Sequence, residues 1–161
     1  MSKVKQELKA FASLARGAQR DYYLSMLRDA KDVDVVSIND VFCTEDVVHI
    51  HKHLKPRIKE CYRNAFLLAQ MFPDYVEYVE GRVSLSCLGG LSIEHAWNKV
   101  GDKYVDVTME LVLNERETHE YAALGEYTYA ETVNVMISTG VYGGVYEYFL
   151  KKQLNEQNNN D

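Results

Sequence analysis

The chain has 161 residues, of which 47% are hydrophobic and 26% are charged, so it is long enough for one globular domain with a sizeable core. This composition excludes disorder along most of the chain, and the formal net charge of -6 disfavours nonspecific binding to nucleic acid. Three cysteines, with no CxxC pair among them, argue against a disulfide framework and against a structural zinc site of the usual spacing.

The start of the chain, MSKVKQELKAF, has no apolar signal core, and no run of the sequence reaches transmembrane length. We therefore expect a protein of the reducing cytosol that has no membrane partner. Four basic residues lie close together in the sequence: Lys52, Lys55, Arg57 and Lys59. We interpret this run first as a solvated surface and second as a binding surface.

Helical periodicity dominates the first part of the chain. Apolar side chains that recur every three or four positions predict one helix over about the first thirty residues. These side chains are Val4, Leu8, Phe11, Ala15, Ala18 and Tyr22. Gly17 is expected to weaken the centre of this helix. Residues 32–36 fit either a short strand or a connector, and residues 44–46 predict the start of another helix. After the break at Pro56, an apolar run predicts a helix that carries Cys61 near its start and ends near Pro73.

The middle of the chain is rich in strand signals. Alternating or β-branched runs predict strands over residues 75–80, 82–88, 92–100, 103–111 and 121–127. Gly81 separates the first two, and Gly101-Asp102 predicts a hairpin between the third and the fourth. A last helix, over residues 129–152, is expected to bend or split at its glycines.

This order of helices, antiparallel strands and helix predicts an α+β domain. We expect one domain over residues 1–154 and a flexible tail over residues 155–161, which lacks apolar side chains.

Cys61 is the first candidate for chemistry. A helix start places free backbone N–H groups and a partial positive charge beside the sulfur, which favours the reactive thiolate and can hold an oxyanion. The alternative is that Cys61 is a small buried hydrophobe, as free cysteines commonly are.

His95 and Asp106 complete a possible catalytic set. On a strand, His95 shares a face with Trp97, where a large aromatic side chain can exclude solvent from a general base. A hairpin at Gly101-Asp102 places Asp106 opposite His95 or Trp97, within reach of the imidazole. The alternatives are a histidine satisfied by the backbone and an aspartate that caps a turn.

Two other groups compete with this set. His49, His51 and His53 alternate, which suits a metal site on a strand, but we expect a helix here, on which their directions diverge. No metal site is therefore predicted. Cys87 is interpreted as core packing, and Cys43 has no partner that the sequence can place.

Three strings carry a resemblance to a known family: KECYRNAFLLA around Cys61, EHAWN around His95 and YVDVT around Asp106. Their order resembles the papain-like superfamily of cysteine enzymes, and within it small bacterial and phage members of the transglutaminase-like branch. The resemblance covers residues 59–108 and, more weakly, residues 125–127. It implies a papain-like, transglutaminase-like fold in which the cysteine-bearing helix packs on a small antiparallel sheet, with extra N- and C-terminal helices. Val107 stands where many relatives carry proline.

By this resemblance Cys61 is the nucleophile, His95 the base and Asp106 the orienting acid of a cysteine-dependent acyl-transfer enzyme. That class includes peptidase-, amidase- and deamidase-like hydrolases as well as transferases, and needs no cofactor. The expected substrate is a peptide, a protein or a small amide or ester, with contacts assigned to Trp97, Tyr62 and Tyr127. The sequence shows no upstream polar residue to complete an oxyanion hole.

A different class of function stays open at this point. The alternative is a non-catalytic binding or inhibitor protein on the same scaffold, such as a phage accessory factor acting in the host cytoplasm. The oligomeric state is not determined by the sequence.

Overall fold

The structure, a computed structural model, describes residues 1–114 and 119–160. Within these residues lies a mixed six-stranded sheet with the strand order β1-β6-β3-β4-β5-β2. The strands are β1 (Lys31–Val33), β2 (Val35–Val36), β3 (Val76–Ser84), β4 (Ser92–Val100), β5 (Lys103–Val105) and β6 (Glu120–Tyr127). Neighbouring strands run antiparallel except β2 and β5, which are parallel.

The described residues also form six α-helices: α1 (Lys3–Leu14), α2 (Gly17–Asp29), α3 (Thr44–His53), α4 (Cys61–Met71), α5 (Tyr129–Thr139) and α6 (Val145–Asn159). Together with a mainly antiparallel sheet, they confirm the α+β class that the order of elements predicts. None of the helices in the described ranges has the length and apolar character needed to cross a membrane.

The N-terminal helix predicted over the first thirty residues is in fact two helices, α1 and α2. The chain leaves the helical conformation at Ala15, whose ψ is 163°, and Gly17 has a φ of +56°. Glycine adopts this left-handed conformation without the steric cost that other residues incur, so the predicted weak point is a complete break. Both helices keep their apolar stripes, because Leu8 and Met26 meet in one buried cluster with Ala122 of β6.

Residues 75–88, predicted as two strands divided at Gly81, form one strand and one turn. Strand β3 runs through Gly81, and a single 3₁₀ turn follows at Ser86–Leu88. Gly81 is needed for close packing here: a Cβ atom at this position would lie 2.6 Å from Cη2 of Trp97. The turn leaves Cys87 exposed, so its interpretation as a core residue was wrong.

The hairpin at Gly101-Asp102 is confirmed, since Asn98 pairs with Val105 and Val100 pairs with Lys103. Strand β5, however, ends at Val105, and a π-helical turn occupies Thr108–Val112, where the strand had been predicted to continue.

The C-terminal helix is split, as its glycines predicted, and α5 ends before Gly140, whose φ is +75°. Helix α6 continues to Asn159, so most of the predicted flexible tail is exposed helix, while residue 161 lies outside the described residues.

Helix α4 packs on the sheet through a buried cluster that includes Ala65, Leu68, Tyr78 and Ala96. A side-chain hydrogen bond strengthens this contact, because Nδ2 of the fully buried Asn98 donates to the carbonyl oxygen of Ala65 at 2.8 Å. Helix α4 is thereby held against β4, the strand that carries His95.

Candidate active site

Cys61 is the first residue of α4, as its position after Pro56 predicted. It is half-buried, and its thiol is free. Among the described residues, no side chain caps the start of this helix. Because the first N–H groups of a helix have no intrahelical partners, they remain available beside the sulfur.

Asn64, a residue that the sequence interpretation missed, fixes the start of α4. Its side chain accepts a hydrogen bond from the N–H of Arg57 at 2.9 Å and donates to the carbonyl oxygen of Arg57 at 2.8 Å. It also donates to Oγ1 of Thr108 at 3.0 Å. The fully buried amide thus joins the loop before Cys61 to the turn after Asp106. A polar residue inside the apolar stripe of α4 was the signal that could have identified it.

His95 and Asp106 form a buried pair. Nε2 of His95 lies 2.7 Å from Oδ2 of Asp106, and the two side chains are 3% and 1% exposed. The hairpin brings them together, although the ladder ends one residue before Asp106. Nδ1 is therefore the ring nitrogen that Asp106 does not bind.

Asp106 is held by three further donors. Oδ1 accepts hydrogen bonds from the N–H groups of Thr108 and Met109, both at 3.1 Å, and Oδ2 accepts one from the hydroxyl of Tyr121 at 2.9 Å. Burial alone raises the pKa of this carboxyl, but the charge and hydrogen bond of His95, with these donors, lower it below its usual value. Asp106 is therefore a carboxylate in a fixed position.

The pKa of His95 reflects both of its partners. Burial alone lowers this pKa, but the charge and hydrogen bond of Asp106, followed by the hydrogen bond and charge of Cys61, raise it to about 10. The imidazole is therefore positively charged at neutral pH. Cys61, His95 and Asp106, which the sequence predicted as a set, lie together in the structure.

The three residues predicted to contact substrate have different surroundings. Trp97 is fully buried, and its ring stacks on that of His95 with centroids 6.1 Å apart, so it packs against the imidazole and is not exposed to solvent. Tyr127 is buried against Phe149, 5.2 Å between ring centroids. Tyr62 alone among the three borders a pocket that His95 also lines.

The other two cysteines and the alternating histidines were the alternatives to this set of residues. Cys43 and Cys87 are both exposed free thiols. The alternating histidines lie on helix α3, as expected, but the rings of His49 and His53 are neighbours, 4.5 Å apart, because residues four apart share a helix face. Within the described residues, no three His, Cys, Asp or Glu side chains are grouped so that they could hold a metal ion.

Comparison with known proteins returned no match: no protein-family model, no curated protein and no solved structure matches this chain.

Proposed function

We propose that this protein is a cysteine-dependent acyl-transfer enzyme, in the first place a hydrolase of amides or esters. The observation that carries the proposal is a buried imidazolium–carboxylate pair, His95 and Asp106, whose imidazole interacts with a cysteine at a helix start. Nucleophile, base and orienting acid are the three parts that such catalysis requires. We further propose that the fold is of the papain-like, transglutaminase-like type, with α4 as the helix that carries the nucleophile.

The first chemical step uses the charge on His95. The thiolate of Cys61 attacks the carbonyl carbon of the substrate, and a carbon–sulfur bond forms. The imidazolium then gives its proton to the leaving amine or alcohol as the bond to that group breaks. The products of this step are a thioester on Cys61, a free amine or alcohol and a neutral imidazole.

The second step reverses the proton transfer. Water loses a proton to His95 and attacks the thioester, the carbon–sulfur bond breaks, and a carboxylic acid leaves. An unacylated Cys61 raises the pKa of His95 through its hydrogen bond and its charge, and acylation removes both effects. The pKa of His95 is therefore lower in the acyl-enzyme than in the free enzyme, although Asp106 still raises it, and a lower pKa favours the neutral imidazole that a general base needs.

Helix α4 can stabilise the oxyanion that develops on the substrate in both steps. Its open first turn presents backbone N–H groups next to Cys61 without a capping side chain among the described residues. Val107 is also compatible with the family pattern: its φ of -67° is the angle that proline would impose at this position.

Alkylation of the three cysteines tests the proposal. Wild-type protein is treated with iodoacetamide at mildly acidic pH, and the modification of each cysteine is followed by peptide mass spectrometry. Cys43 and Cys87 are the more exposed thiols, so exposure alone would make them react first. The proposal expects Cys61 to react fastest because it lies at a helix start beside the imidazole of His95. We expect His95→Gln to slow the reaction at Cys61 by about tenfold or more.

The control is His51→Gln on α3, which removes an exposed histidine and leaves alkylation of Cys61 unchanged. A second measurement follows the release of p-nitrophenol from p-nitrophenyl acetate, for which we expect a burst that Cys61→Ala abolishes. If Cys43 and Cys87 react before Cys61 and His95→Gln has no effect, the proposal is wrong, and a non-catalytic binding protein becomes the better interpretation.

A further inference from the structure

A small pocket adjoins the imidazole of His95. Its volume is about 110 Å³, roughly that of four water molecules at about 30 Å³ each. Two glycines shape it. Gly81 pairs with His95 across the sheet and contributes no side chain, and Gly143 allows the ring of Tyr62 to lie against the backbone. The pocket can therefore hold a group the size of a guanidinium or a short alkylammonium.

Tyrosine rings and carboxylates line this pocket. The rings belong to Tyr22, Tyr62 and Tyr146, and the carboxylates to Glu80, Glu94 and Glu147. Aromatic faces and carboxylates are the groups that proteins use to bind organic cations, since both present negative potential to the ligand.

The carboxylates of the pocket differ in their surroundings. Glu80 is buried and accepts hydrogen bonds from the N–H groups of Val145 and Tyr146 at the start of α6, so it forms part of the wall. Glu94 and Glu147 are exposed, with side-chain exposures of 59% and 51%, so the ion pairs that they form are open to solvent and weak.

A cation lies beside each exposed carboxylate, and the imidazole of His95 also lines the pocket. Arg82 lies 3.8 Å from Glu94, and Lys151 lies 2.9 Å from Glu147 on the exposed side of α6. Burial, and then the charges of Glu94 and Glu147, raise the pKa of Tyr22 to about 12. Both carboxylates therefore act on an aromatic ring inside the pocket despite their cationic neighbours.

We infer that this pocket binds an organic cation, a guanidinium or alkylammonium group, and that the substrate carries such a group close to the acyl carbon that Cys61 attacks. The inference rests on the proposed function, because it uses His95 as the link between the pocket and the reacting atoms. It adds a substrate class: cationic amides or esters are preferred over neutral and anionic ones. Glu94 and Glu147 are then residues that determine specificity.

Charged thiol reagents of matched chemistry test this inference. The rates of modification by 2-aminoethyl methanethiosulfonate and 2-sulfonatoethyl methanethiosulfonate are measured at Cys61 and, as an internal reference, at the exposed Cys87. Both thiols react as thiolates with the same leaving group, so the cation-to-anion rate ratio reports the local field. We expect this ratio to be about tenfold higher at Cys61 than at Cys87.

Substitutions identify the source of the preference. We expect Glu94→Gln and Glu147→Gln each to lower the ratio at Cys61 by about threefold, and the double variant to lower it further. Glu156→Gln is the matched control: it makes the same change of charge on α6, about 13 Å farther along the helix, and should leave the ratio unchanged.

A measurement without the thiol completes the test. In Cys61→Ser, we expect agmatine, which carries both cationic groups, to shift the ring resonances of Tyr22 and Tyr62 in NMR spectra, and to lose this effect when both Glu94 and Glu147 are replaced by Gln. Equal reagent ratios at Cys61 and Cys87, or no agmatine shift, overturn the cation pocket. If Cys61 still reacts fastest with iodoacetamide in that case, the proposed function stands.

Discussion

His95 and Tyr121 bond the same oxygen of Asp106, at 2.7 Å and 2.9 Å. They come from strands β4 and β6, which lie on either side of β3, so the carboxylate is held by donors from two strands that are not neighbours in the sheet. With Oδ1 bound by two backbone N–H groups, Asp106 cannot rotate away from the imidazole. Its role is to orient His95 and balance its charge.

Tyr121→Phe tests this arrangement. The substitution keeps the ring, which packs edge-on against Trp97 at 5.2 Å, and removes only the hydroxyl donor. We expect the free energy of unfolding, measured with urea at neutral pH, to fall by about 1.5–3 kcal/mol, because a buried carboxylate loses a hydrogen bond. Tyr148→Phe on the exposed side of α6 is the control, for which we expect a change near zero.

The same variant should also be more sensitive to acid. The lowered pKa of Asp106 stabilises the fold above its ordinary value of 3.8, and this contribution is lost as pH falls through the folded-state pKa. Without the donor of Tyr121 the pKa is lowered less, so acid unfolding begins at a higher pH. Superimposable acid transitions for variant and wild type would contradict this role of the hydroxyl.

The pKa of His95 predicts how stability depends on pH. Because folding raises this pKa from 6.5 to about 10, its contribution is fully present below pH 6.5 and is lost as pH rises through about 10. We therefore expect the free energy of unfolding of the wild type to fall across this range relative to that of His95→Gln. Urea titrations at several pH values measure the difference.

The control for the pH dependence is His51→Gln, which should retain the slope of the wild type because His51 lies exposed on α3. Cys61→Ala should move the end of the decline to lower pH, since Cys61 is one of the groups that raise the pKa of His95. Parallel curves for wild type and His95→Gln would show that the imidazolium does not stabilise the fold.

Asn64→Ala and Asn64→Asp test the link between α4 and the turn after Asp106. The aspartate keeps the acceptor for the N–H of Arg57 but loses both donors, and the alanine loses all three hydrogen bonds. For the alanine we expect a loss of about 2–4 kcal/mol in the free energy of unfolding and slower alkylation of Cys61. Asn134→Ala, at an exposed position of α5, should change neither quantity appreciably.

Gly81→Ala tests why a glycine lies inside strand β3. The new methyl group would lie 2.6 Å from the ring of Trp97 and closer still to the carbonyl oxygen of Ala122, so backbone must move. We expect the free energy of unfolding to fall by about 3 kcal/mol. Gly89→Ala, which has open space but a φ of +65°, should cost about 1 kcal/mol from backbone strain alone. If both variants lost the same free energy of unfolding, crowding would be ruled out as the reason for a glycine at position 81.

Much of the site could be predicted from local pattern. The break at Pro56 and the apolar periodicity that follows place Cys61 at the start of a helix, and the Gly101-Asp102 turn sets the register that brings Asp106 within reach of His95. Both inferences depend on residues that are close in the chain, where turn geometry and helical period act directly.

Contacts between distant segments could not be predicted in this way. The exposure of Cys87 depends on where β3 ends, and the continuation of that strand through Gly81 depends on its pairing with β4 and β6. Trp97 shares a strand face with His95, as predicted, but the other elements bury it completely.

The sequence by itself therefore determined the α+β class, the helix start at Cys61 and the pairing of His95 with Asp106, because each follows from periodicity, a breaking residue or a short turn. Only the tertiary structure decided that Tyr121 and Asn64 complete the site, and that Tyr62, Glu94 and Glu147 enclose a pocket beside His95. These residues come from strands and helices far apart in the chain, and their meeting depends on how the whole sheet packs against its helices.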